Sequence, residues 1–240
     1  MTSSIPSIRP APEVSVSWIL GERALPMHSQ ADKVALRWVN GPRTYEELRD
    51  RALRMAGTLV EASTRPGDRV VTYLFNRGGI FEVYLACAYA GLILVPLNFR
   101  FAPVELGSVI DDCRPVVVIA ESELAPAMWE GLIQAVHQPA VVPQLRGDHS
   151  GEEFESWASR EKLEFPRYFE KQLILYTSGI TGRPKSVVMT QWSAMALAMR
   201  QASLSTRNST TTRLPSLAGR CTVPPASTSN AFRCFWSEAP

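Results

Sequence analysis

The sequence predicts an α/β fold, a mainly parallel sheet flanked by helices, on two observations. Between Arg43 and Ser122, runs of strand length alternate with runs of helix length, and the strand runs are apolar throughout rather than at every second residue. Continuously apolar strands need cover on both faces, which crossover helices provide.

The first helix is predicted over "RTYEELRDRALRMAGTLVEAS". Thr44 can cap it, and Glu47, three residues on, can return the hydrogen bond, while Leu48, Met55, Ala56, Leu59 and Val60 recur largely at helical spacing. "RPGDRVVTYLFN" then sets a Pro-Gly turn before a buried strand. "GIFEVYLACAYAG" follows as a helix ended by Gly91, "LILVPLN" as a short strand, "APVELGSVIDDC" as a helix and "PVVVIAES" as a strand. Beyond Ala125 the signals thin. "MWEGLIQAV" reads as a helix, "PAVVPQL" as a strand, "RGDHSGEEFESWASREKLEF" as loop with a surface helix, and "QLILY" as a strand.

Lysine and arginine exceed aspartate and glutamate by two, which gives no electrostatic reason to expect nucleic acid as a partner. Cys87, Cys113, Cys221 and Cys234 are scattered, with no histidine at ligand spacing; no metal site is expected, and Cys87 and Cys113 read as reduced thiols with Cys87 the more buried. His28, His137 and His149 stand in loop-like stretches and read as surface residues. The apolar run Val83–Leu97 falls short of the roughly 20 residues a membrane span needs, and Gly91 and Pro96 interrupt it. With no signal-peptide core in "MTSSIPSIRPAPEVSV", the expected location is cytoplasmic.

The stretch that carries chemistry is "YTSGITGRPKSV", residues 176–187, fed by an apolar strand. Small residues let a backbone curl its N–H groups towards an anion, hydroxyls add donors, and a lysine adds a point charge. Thr177, Ser178 and Thr181 bring hydroxyls, Gly179 and Gly182 bring freedom, and Lys185 brings charge, a set suited to a polyphosphate. It is not a Walker-type loop: Pro184 precedes the lysine, and Val187–Met189 reads as a second strand rather than a helix start.

This stretch resembles the phosphate loop of the adenylate-forming superfamily, whose pattern is Y-T-S-G-[ST]-T-G-x-P-K-G-V. Tyr176, Thr177, Ser178, Gly179, Thr181, Gly182, Pro184, Lys185 and Val187 match it. Upstream, "TYEELRDRALRMAGTL", "PGDRVVTYLFN" and "YLACAYAGLILVPLNFRFAPVELGSVIDDCRPVVVIAES" resemble the acyl-CoA synthetase branch. The resemblance covers about residues 15–202 and implies the N-terminal portion of the large domain of such enzymes.

It further implies an acid–thiol ligase in which a carboxylic acid is activated by ATP with Mg²⁺ as an acyl-adenylate, then passed to coenzyme A. Thr177, Ser178 and Thr181 would donate to phosphate oxygens, Gly179 and Gly182 would permit close approach, and Lys185 would neutralise charge; no residue is assigned a catalytic or metal-ligating role. Ile180, Ser186 and Gln191 stand where the family usually has Ser or Thr, Gly, and His. One lost hydroxyl donor weakens phosphate binding by about 1 kcal/mol, and a side chain at 186 would be strained if its φ were positive.

The domain reading is a flexible lead-in over 1–14, a partial adenylation domain over 15–202, and a disordered or aberrant tail over 203–240. From Ser203 the chain is crowded with Ser, Thr, Pro and Arg and has one acidic residue, Glu238. That change of character prompts the expectation of a frameshifted or truncated enzyme, inactive alone. The alternatives are a non-catalytic nucleotide-binding or scaffold fragment and a non-functional remnant.

Overall fold

The computed structural model describes residues 31–38, 41–76, 78–140, 144–145, 156–157, 161–163, 169–177, 184–197 and 200. An antiparallel pair, β1 (Val34–Trp38) and β2 (Gly41–Thr44), precedes helix α1 (Tyr45–Glu61). There follow β3 (Arg69–Tyr73), α2 (Gly79–Ala90), β4 (Ile93–Pro96), α3 (Pro103–Cys113), β5 (Val117–Glu121) and α4 (Ala125–Gln134). The two-residue β6 (Gln144–Leu145), then β7 (Lys171–Thr177) and β8 (Lys185–Thr190), complete a six-stranded sheet ordered β6-β5-β3-β4-β7-β8. All its neighbours are parallel except β7 and β8. The predicted α/β architecture is therefore the observed one.

The caps anticipated from sequence organise these elements. Thr44 N–H donates to Glu47 Oε2 at 2.8 Å and Glu47 N–H returns to Thr44 Oγ1 at 3.2 Å. Gly91 ends α2 in the left-handed region at φ 70°. The sheet's pleat divides the core in two. Val70, Leu94, Val117, Ile119 and Leu173 pack with α1 and α2, while Val71, Tyr73, Val95, Val118 and Ala120 pack with α3 and α4. Burial on both faces is why these strands are apolar throughout.

Two elements escaped the sequence reading. The β1–β2 pair falls between residue 15 and the first predicted helix, where no element was expected, although Asn40-Gly41 is a turn-forming dipeptide. Residues 191–197 form a helix. It is opened by a reciprocal cap in which Ser193 N–H donates to Thr190 Oγ1 at 3.1 Å and Thr190 N–H to Ser193 Oγ at 3.0 Å. Of the strand expected over 139–145, β6 is the part seen among the described residues, and residues 141–143 lie outside them. The lead-in over 1–14, residues beyond 200, and most of the polar stretch 146–165 lie outside the described residues.

Helices α3 and α4 approach through glycine. A Cβ on Gly131 would stand 2.8 Å from Leu106 Cβ and 2.9 Å from the Pro103 carbonyl oxygen. Gly131→Ala is therefore expected to destabilise the fold by about 1–3 kcal/mol through overpacking; chemical denaturation reads this, and an unchanged midpoint would contradict it.

Cys87 and Cys113 are both free and buried. Burial pushes the Cys87 thiol far above its ordinary range, and burial pushes Cys113 up to about 12. The thiolate is the reactive form, so native protein at pH 8 should leave both unmodified by an aromatic disulfide reagent, with labelling only on unfolding. Peptide mass mapping checks this, and native labelling of either would refute the packing around it.

Candidate phosphate-binding site

In a parallel α/β sheet, ligands gather beyond the C-terminal ends of the strands. β7 runs parallel to β4, with Leu173 opposite Leu94, so its last residue, Thr177, lies at that edge. The chain returns antiparallel as β8, and the register pairs Thr177 with Lys185 and Tyr176 with Ser186. The two ends of the "TSGITGRPK" stretch therefore meet as a cross-strand pair. Thr177 Oγ1 lies 3.4 Å from the Lys185 carbonyl oxygen, and both residues are exposed. Of the predicted site residues, these two are brought together at the mouth of the turn; Ser178, Gly179, Thr181 and Gly182, with Ile180, lie outside the described residues.

The local sequence explains the strand pair. Leu173 and Leu175 face the α1 and α2 side, Ile174 and Tyr176 face the α3 and α4 side, and this anchors β7 in the sheet. β8 is the edge strand, and Val187 and Val188 are about half exposed, at 52% and 49%.

Two departures from the family pattern find their explanation here. Ser186 lies within β8, and it is not among the described non-glycine residues with positive φ, which are Ser63 and Arg114. The strain considered for a side chain at 186 does not arise, because extended backbone accepts any residue. Gln191 is buried. Its Nε2 donates to the Phe169 carbonyl at 2.9 Å and its backbone N–H to the Glu170 carbonyl at 2.9 Å, which ties the end of β8 to the start of β7.

Sequence reasoning missed one partner of the site. Tyr176 Oη donates to Asp112 Oδ2 at 2.5 Å, linking the end of β7 to the end of α3 across 64 residues. Burial raises the Tyr176 phenol, the Asp112 hydrogen bond acts in the same sense, and the Ser186 hydroxyl opposes it. No short-range signal marks Asp112, because only the fold brings the two together. Beneath them lies an open cleft of about 410 Å³ lined by Arg69, Asp112, Arg114, Lys171, Tyr176 and Ser186 with apolar neighbours.

The same sheet edge carries Glu121, fully buried at the end of β5, whose Oε2 accepts from Phe75 N–H at 2.9 Å. Phe75 and Phe99 stand 5.3 Å apart there, with the Arg100 guanidinium 5.5 Å from the Phe99 ring. His137 is part-buried in a loop, with Nε2 2.8 Å from the Pro115 carbonyl and its N–H on Asp111 Oδ1. Among the described residues, no group of three or more His, Cys, Asp or Glu could hold a metal ion, and no helix is long and apolar enough to cross a membrane.

Residues 24–226 match the family model described as "AMP-binding enzyme". A 2-succinylbenzoate–CoA ligase from Geobacillus sp. (strain WCH70) is 30% identical over 175 residues, covering 70% of this chain and 32% of that protein. A feruloyl-CoA synthase from Amycolatopsis sp. is 34% identical over 148 residues, covering 61% and 28% respectively. Among solved structures, ATP-bound MatB from Rhodopseudomonas palustris superposes with a TM-score of 0.65 at 25% identity, covering 80% of this chain and 37% of that one. The chain thus spans about a third of the length of the curated relatives it matches.

Proposed function

The chain belongs to the AMP-binding enzyme family, and on that premise we propose that it carries the phosphate-binding wall of an ATP-dependent acid–thiol ligase. The reaction joins a carboxylate to the α-phosphate of ATP, releasing pyrophosphate and giving an acyl-adenylate, whose acyl group then passes to the thiol of coenzyme A. The observation that supports this reading is the pairing of Thr177 with Lys185 at the C-terminal edge of the sheet. A hydroxyl donor and an ammonium group there fit a polyphosphate, and both strengthen their hold as negative charge gathers on the departing pyrophosphate.

In this reading Lys185 neutralises the β- and γ-phosphates, and Thr177, joined by Ser178 and Thr181, donates hydroxyl hydrogens to their oxygens. Gly179 and Gly182 let the backbone approach closely. Mg²⁺, entering as the nucleotide's counter-ion, supplies further neutralisation of the same oxygens. The acid is of the carboxylic class that the relatives' names share, and the protein works in the cytoplasm.

One wall does not complete such a site, because catalysis needs donors held on every side of the developing charge. The 240 residues alone are therefore expected to give no acid-dependent ATP–pyrophosphate exchange across a panel of fatty and aromatic acids. Grafting residues 24–197 in place of the matching segment of the Geobacillus ligase should retain exchange that depends on Lys185. Exchange by the isolated chain would overturn the incompleteness, and a folded but inactive graft would overturn the ligase reading. The half-exposed Val187 and Val188 on β8, the edge strand among the described residues, favour a second reading, a nucleotide-binding module completed by further polypeptide. Recovery of exchange on co-expression with the remaining two-thirds of such a ligase is its test.

A further inference from the structure

We propose that Asp112 is a positioning residue for the phosphate loop, holding the Tyr176 hydroxyl so that Thr177 and Lys185 stay opposed across the mouth of the turn. The inference rests on the nucleotide-binding reading above. Tyr176 immediately precedes Thr177, and its cross-strand partner Ser186 immediately follows Lys185, so whatever fixes Tyr176 fixes both flanks of the turn.

The sheet alone holds this end weakly. β4 pairs with β7 at Leu94 and Leu173, and by that register its last residue, Pro96, stands opposite Leu175. Tyr176 and Thr177 therefore extend beyond β4, with the edge strand β8 on their other side. The bond to Asp112 ties the extension to the body of the domain.

Asp112 stands on the well-anchored last turn of helix α3. Arg69 donates from Nε to the Cys113 carbonyl at 2.6 Å and from Nη2 to the Arg114 carbonyl at 2.7 Å, clamping the end of α3 to the start of β3. Asp111 accepts from His137 N–H at 2.8 Å, tying the same turn to the segment after α4. A phenol donating to an ionised carboxylate makes a short bond roughly twice as strong as a neutral one. An anionic side chain is a poor direct ligand for phosphate, so Asp112 acts through Tyr176 and not on the nucleotide itself.

The test uses the 240-residue chain with Mg-ATP titration and amide hydrogen exchange. Asp112→Ala and Tyr176→Phe should each weaken Mg-ATP binding about tenfold, the scale of one charge-assisted hydrogen bond, and speed exchange at Thr177 and Lys185. Asp112→Asn keeps an oxygen that accepts the phenolic hydrogen and should stay within about threefold of the parent. The Asp112→Ala/Tyr176→Phe double variant should bind no more weakly than either single, since both remove one interaction. Parental affinity and exchange in the singles, or additive losses in the double, would overturn the proposal. Tyr176→Phe preserves packing and carries the test should Asp112→Ala fail to fold. If the parent binds no Mg-ATP, the nucleotide reading fails, and exchange at Thr177 and Lys185 then decides the tie: rates unchanged in the variants overturn it, and faster rates uphold it.

Discussion

Lys185→Ala should weaken Mg-ATP binding by about 10- to 100-fold, the range expected on losing a charge-assisted contact to phosphate. The side chain is exposed at the first residue of β8, and its pairing with Thr177 runs through the backbone. Surface substitutions of this kind shift stability by no more than about 0.5 kcal/mol, so affinity and folding separate cleanly. Lys185→Arg keeps the charge and should recover most of the binding, though not all of it, because a planar guanidinium does not reproduce a compact ammonium. Titration calorimetry with Mg-ATP measures both. Affinity unchanged in Lys185→Ala would remove the lysine from the site.

The second large effect concerns folding. Glu82 on α2 is buried, with 1% of its side chain exposed, and its Oε1 accepts from Arg51 Nε on α1 at 2.9 Å. Arg43 Nε of β2 stands 3.7 Å from the same oxygen. The cluster joins the hairpin, α1 and α2 on one face of the sheet. Arg51→Met keeps the aliphatic stem but removes the charge, taking from the buried carboxylate the cation 2.9 Å from its Oε1. The loss should be about 2–4 kcal/mol, somewhat below the usual range for a broken buried pair because Arg51 is 12% exposed and Arg43 remains. Glu82→Gln combined with Arg51→Met should lose less than the sum of the two single changes. Urea denaturation measures this, and a loss below about 0.5 kcal/mol, the ordinary range for surface changes, would mean that the pair carries no stability.

Much of the fold was legible because it rests on short-range physics. Thr44 and Glu47 are three residues apart, Gly91 follows the last turn of its helix, and the apolar strands state their own burial. The β1–β2 pair is hard to read because its strands are short and only partly apolar, so Asn40-Gly41 stands without the flanking alternation that marks a hairpin. The helix after Thr190 was overlooked because its cap uses Ser193 where a glutamate is the familiar partner. The stretch from Thr177 to Lys185 was legible as a candidate phosphate loop from its chemistry, and of its residues Thr177 and Lys185 form a cross-strand pair. Asp112 was not legible, since nothing in "IDDC" distinguishes a carboxylate that reaches Tyr176 from one facing solvent. Ser186 shows the reverse: a residue suspected of strain proves compatible once the strand it occupies is known.

The proposed role of the β7–β8 turn is to grip the pyrophosphate end of a nucleotide. Thermal melting of the 240-residue chain with Mg²⁺ and either ATP, pyrophosphate or AMP tests it most directly, because a ligand of the native state raises the midpoint in proportion to the logarithm of its concentration over Kd. A clear rise is expected with Mg-ATP, a smaller rise with Mg-pyrophosphate and little with AMP, with all rises lost in Lys185→Ala. No shift with Mg-ATP, or an equal shift with AMP, would contradict it.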